Sequence, residues 1–174
     1  MRFSFMPFIF LSLLGLLIGF LNFKLLKKDD SLFLNNEEIS PLKFTDRRVF
    51  PSLVIAAFLG ISNACIVLTS SLFVNDVILK STEDLYFFVS IGFAIVALSG
   101  LITQLFIVDK YSLNPKGLVF IGLFLMSLVF YLLSNVNQIF SFYILLAIYG
   151  FGGGLARPGN VSILSLSINK NEQG

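Results

Sequence analysis

Forty consecutive residues, Gly117 to Ala156, carry no charged side chain. As one helix they would extend roughly 60 Å at about 1.5 Å per residue, twice the ~30 Å hydrocarbon core of a bilayer. So long an apolar stretch belongs in lipid and has to fold back within it. The polar cluster Ser134, Asn135, Asn137 and Gln138 supplies the reversal, which predicts one helix near Leu118 to Leu133 and another near Ile139 to Leu166. Upstream, Phe3 to Phe23, Val49 to Asn75 and Leu85 to Val108 are also free of charge, and each is long enough for a single crossing.

The fold class that follows is an all-α membrane protein, a polytopic bundle of five transmembrane helices. A hydrophobic content of 56% against 13% charged residues fits no soluble domain, and the mean hydropathy is +0.91. The organisation is a first transmembrane helix over residues 1–23, a charged cytoplasmic loop punctuated by Pro41 over 24–48, and four further helices with short loops over 49–174. The same composition excludes most catalytic chemistry. The chain has no histidine and a single cysteine, Cys65, so a disulfide framework, a zinc site and a histidine-based triad are ruled out within it. No cofactor, no metal and no enzymatic activity are expected. A net charge of +2, with the basic residues set between apolar runs, implies no nucleic-acid partner. The partner that composition implies is the lipid bilayer.

Lysine and arginine are distributed unevenly between alternate loops, and cytoplasmic loops carry the excess. One side holds Lys24, Lys27, Lys28, Lys43, Arg47, Arg48, Lys110, Lys116 and Lys170, and the other only Arg2 and Lys80. This nine-to-two split puts the N-terminus outside and the C-terminus in the cytoplasm; the expected location is the inner (plasma) membrane of a bacterium. Arg2 before an apolar run resembles the start of a signal peptide. The absence of a small-residue cleavage pattern, with Lys24, Lys27 and Lys28 at the far end, favours a retained helix.

In lipid, small residues that admit a close backbone mark helix contacts. Ala56, Gly60 and Ala64 form such a stripe on the second span, Gly15 and Gly19 on the first, and Gly150 and Gly154 on the fifth. The fifth span concentrates them: six glycine or proline residues fall within the ten positions from Gly150 to Gly159. Glycine weakens a helix by about 1 kcal/mol relative to alanine, and Pro158 has no N–H for the Gly154 carbonyl. Gly150, Gly152, Gly153, Gly154 and Pro158 are therefore expected to make a bend or a very close helix crossing. Arg157, about 28 Å along from Gln138, reaches the cytoplasmic face. There it can snorkel to the interface or meet an anionic substrate or a gating carboxylate.

No Asp, Glu, Lys or His interrupts the middle of any span, so a proton-carrying carboxylate is absent from them. The polar groups are neutral: Ser62, Asn63, Thr69, Ser70 and Ser71 on the second span, Ser99, Thr103 and Gln104 on the third, Tyr143 and Tyr149 on the fifth. Asn63, Ser62 and Tyr149 are the candidates for a polar cavity. An amide in hydrocarbon needs partners or water, and for Asn63 a bond across to another helix is an equally good use.

The stretch "IYGFGGGLARPGNVSILSLSINKNEQG", ending in Glu172, Gln173 and Gly174, resembles the tenth helix and following cytoplasmic loop of the major facilitator superfamily, in particular its drug:proton antiporter branch. "VDKYSLNPKG" is similar to the second-half copy of that family's loop motif, with Asp109, Lys110 and Lys116 at its charged positions. Leu105 and Ser112 stand where the motif has glycines. "RFSFMPFIFLSLLGLLIGF" resembles the sixth helix, and residues 24–48 the long central loop. The resemblance thus implies helices six to ten of a twelve-helix fold, a fragment left by a truncated gene, a split reading frame or an incomplete sequence. It further implies part of a secondary transporter exporting small amphipathic compounds or drugs by alternating access, coupled to protons, the missing helices being partners. Asp109, Lys110, Lys116 and Arg157 are then candidates for its cytoplasmic gate. A small accessory membrane subunit without transport activity is the competing reading.

Overall fold

The computed structural model describes residues 10–18, 20–21, 49–79, 85–108 and 114–167. Gly19, residues 24–48, Asp109, Lys110, Ser112 and the Glu172–Gly174 ending lie outside the described residues. Every described element is a helix: α1 (residues 10–18 and 20–21), α2 (Phe50–Phe73), α3 (Leu85–Thr103), α4 (Pro115–Leu133) and α5 (Ile139–Ser167). The wider π-helical turns Val74–Leu79 and Gln104–Val108 extend α2 and α3. The helices α2 to α5 are each long and apolar enough to cross a membrane.

The reversal inside the forty-residue stretch sits where its polar cluster places it. Backbone N–H groups of Ser134, Asn135 and Val136 bond back to the carbonyls of Tyr131, Leu132 and Leu133, closing the end of α4. The Ser134 hydroxyl adds a bond to the Tyr131 carbonyl at 2.6 Å, so the orphan acceptors of the last turn are satisfied locally. At the other end of α4, Asn114 is an extended N-cap whose side chain accepts from the Lys116 N–H at 3.0 Å, and Pro115 follows where a missing N–H costs nothing.

α5 is central and packs on two partners through glycine. An added Cβ at Gly92 would lie 2.7 Å from Leu146 Cδ1, at Gly150 2.9 Å from Val96 Cα, and at Gly154 2.8 Å from the Gly100 carbonyl oxygen. Each four-residue step along α3 therefore meets a four-residue step along α5, and the two helices run parallel. α4 runs the other way: Phe130 meets Tyr149 edge-to-face at 5.7 Å, Gly122 abuts Gly152 and Ala156, and Leu118 abuts Gly159. Backbone-to-backbone approach of this kind is available only where no Cβ intervenes.

α2 behaves differently and corrects one expectation. Its small-residue stripe, Ala56, Gly60 and Ala64, is exposed, and no described residue lies within 4 Å of a Cβ built at Gly60. The opposite face is buried, with Ile55, Phe58, Ser62, Ile66 and Phe73 inside the core. Phe73 stacks on Phe142 at 5.7 Å, and Phe58 closes on Gly15 of α1. Large side chains here fill a wider gap between helix axes, so close approach through small residues is not how α2 is held.

Candidate functional site

Several of the polar groups in the spans are spent on their own or a neighbouring backbone. Thr69 and Ser70 donate to the carbonyls of Cys65 and Ile66 one turn back, and Ser99 and Thr103 to those of Val96 and Ser99. The Tyr143 hydroxyl crosses from α5 to the Phe88 carbonyl of α3 at 3.0 Å. Hydroxyls bonded this way are neutralised for membrane burial and offer little to a ligand.

The polar groups that escape this fate include Asn63, Gln104 and Tyr149, and they border one cavity. It has a volume of about 420 Å³ and lies between α2, α3 and α5. From α5 it takes Tyr149, Gly150, Gly153, Gly154 and Arg157, a single face over two turns. From α3 it takes Phe93, Val96, Ala97, Gly100, Leu101 and Gln104, again one face, and from α2 Asn63 and Val67, one turn apart. The parallel register of α3 and α5 sets Gln104 level with Pro158, so the amide of Gln104 and the guanidinium of Arg157 share one end of the cavity. Apolar side chains wall the remainder. The Tyr149 hydroxyl is buried and has no hydrogen-bond partner among the described residues, an arrangement that leaves a donor and acceptor unused in a low-dielectric site.

The sequence-predicted residues divide accordingly. Asn63 and Tyr149 border the cavity together, whereas Ser62 is fully buried, its hydroxyl without a partner among the described residues, and is not part of the wall. Gly150, Gly152 and Gly154 lie in helix crossings. Gly153 departs from the close-packing expectation: a Cβ there meets no described residue within 4 Å, because the cavity lies in front of it. α5 runs as one continuous helix through Pro158. Arg157 is exposed and lies on the cavity wall, while Lys116 sits in the first turn of α4, away from that wall. Asp109 and Lys110 lie outside the described residues.

Three features carry no role in the sequence reading. Gln104 is one polar residue among several in the sequence, and it falls on the wall because it lies one helical turn beyond Gly100 on the same face. Asn160 is a buried amide donating to the Ser52 carbonyl at 3.1 Å, which ties α5 to the start of α2. An amide within an apolar helix was the available signal for it. Gly100 and Gly122 are the partners that allow α5 its close crossings, visible in sequence only as isolated glycines.

A membrane-length helix bundle around a partly polar cavity is an architecture of transporters. The chain matches the sequence profile of the Major Facilitator Superfamily over residues 1–174, its whole length. It belongs to that family. This major facilitator protein is accordingly an integral, multi-pass membrane protein of a transporter family, and α2 to α5 form part of that family's all-α bundle. No curated protein and no solved structure matches the chain.

Proposed function

We propose that this major facilitator protein contributes part of the substrate pathway of a secondary transporter that exports small amphipathic compounds by alternating access. The observation that carries the reading is the cavity between α2, α3 and α5. At about 420 Å³ it has the size of a small-molecule site, with apolar walls and a few polar groups. Asn63 and Tyr149 contact substrate, and the glycine face of α5 with Pro158 lets that helix change its curvature as the two halves of the transporter rock. The nine-to-two charge asymmetry supports an outside N-terminus. It puts the Gln104 and Arg157 end of the cavity toward the cytoplasm, where Asp109, Lys110 and Lys116 belong to the gate. Proton coupling rests on the resemblance to drug:proton antiporters. No carboxylate lines the cavity among the described residues, so the coupling group belongs to another part of the transporter.

Everted membrane vesicles containing the protein provide the test. On energisation they are expected to accumulate fluorescent amphipathic dyes, to lose them on addition of a protonophore, and to show a raised KM in Asn63→Ala. Vesicles that move no dye under any gradient would leave the accessory-subunit reading in its place.

A further inference from the structure

The cavity carries its one charge at one end. Phe93, Val96, Leu101 and Val67 give it apolar wall, Asn63 and Tyr149 add neutral polar groups beside them, and Gln104 and Arg157 stand together at the end. The hydrogen-bonding inventory at that end is unbalanced. Arg157 brings five N–H donors and no acceptor and Gln104 two donors and one acceptor, and two turns back along α5 the Tyr149 hydroxyl has no partner among the described residues. No described residue of the wall is acidic, so the guanidinium is the sole formal charge on it. A planar guanidinium bordered by apolar surface is best complemented by a carboxylate or another oxyanion held bidentately. A cationic head at the same place would meet like charge.

We infer that the cavity selects amphipathic anions: a compact apolar body against Phe93 and Val96, and a carboxylate-type head at Arg157 and Gln104. This rests on the reading of the cavity as a substrate pathway and adds the charge of the substrate to it. Snorkelling of Arg157 to the interface accounts for its exposure. It does not account for the amide beside it or for the unpartnered phenol further along the same wall.

A matched series tests the head group alone. Purified protein in phosphatidylcholine nanodiscs is titrated with 4-phenylbutyrate, 4-phenylbutanol and 4-phenylbutylamine, with empty nanodiscs as blank. The carboxylate is expected to bind best. In Arg157→Gln its affinity falls about tenfold, the scale of a lost charge-assisted bond, while the alcohol is unaffected. Arg157→Lys, which keeps the charge without the planar fork, recovers part of the loss, and Tyr149→Phe weakens the carboxylate by a smaller factor. The inference is overturned if the amine binds as well as the carboxylate, or if Arg157→Gln weakens all three ligands alike. It is also overturned if phosphatidylglycerol in the disc displaces 4-phenylbutyrate, which would give the site to a lipid headgroup. Vesicles that export cationic dyes but not anionic ones would sink this assignment and leave the transporter reading standing. Carboxylate binding without dye movement would do the opposite.

Discussion

Gly150, Gly153 and Gly154 stand within five positions of one another, yet their environments assign them different physical tasks. At Gly150 and Gly154 the backbone of α3 occupies the space a methyl group would need. At Gly153 that space is empty cavity. Gly150→Ala and Gly154→Ala are each expected to destabilise the protein by about 1–3 kcal/mol, the usual range for overpacking against atoms that cannot move aside. Gly153→Ala should leave stability equal or slightly higher, since alanine is the better helix former by about 1 kcal/mol. Thermal unfolding of the three purified variants in one detergent checks the ordering, and equal losses at all three would refute it. The glycines were legible in sequence as a group. Their division was not, because it depends on which atoms of α3 and α4 stand opposite. Asn63 and Tyr149 were similarly legible as polar groups in apolar helices, while Gln104 was indistinguishable from Ser99 and Thr103 until their hydroxyls were seen bonded to their own helix.

Among the helices, α5 combines the features of a support and of a moving part. It is packed on both sides by glycine crossings, tied to α2 through Asn160 and to α3 through Tyr143, and continuous through a proline. The proline withholds an N–H from the Gly154 carbonyl, so the turn between them is the softest place in an otherwise well-held helix. Pro158→Ala restores that donor. The variant is expected to show slower amide hydrogen exchange over residues 155–160 and a higher unfolding midpoint, together with slower dye transport if bending of α5 limits the cycle. Unchanged exchange and unchanged transport would remove Pro158 from the proposed hinge. The limits of α3, α4 and α5 follow the charge-free runs closely, and the reversal after Leu133 sits at the predicted polar cluster. α2 is the contrary case, since its alanine and glycine stripe is exposed while Ile55, Phe58 and Ile66 hold the contact. A small-xxx-small pattern permits close packing. It does not require it, and a neighbour with bulky side chains can be met only by the other face.

For the whole molecule, the decisive property is the direction in which it threads the bilayer, because that determines which end of the cavity faces the cytoplasm. The asymmetric lysine and arginine count predicts that a cysteine placed at Lys27, in a Cys65→Ser background, reacts with a membrane-impermeant maleimide in everted vesicles and is protected in intact cells. Labelling in intact cells would invert the topology and move the Arg157 end of the cavity to the exterior. By itself the sequence determined the helical class, the number of apolar runs, their limits and the turn between the last two. These follow from the thickness of the bilayer and the cost of placing charge inside it, which act on each segment separately. Only the tertiary structure decided which face of each helix is inside and which polar groups meet at one cavity. Lipid is as apolar as the side chains it touches, so no hydrophobic stripe marks the buried face. The choice falls to shape, to the fit of Gly100 against Gly150 and Gly154 and of Gly122 against Gly152, and this exists only once two helices are set side by side.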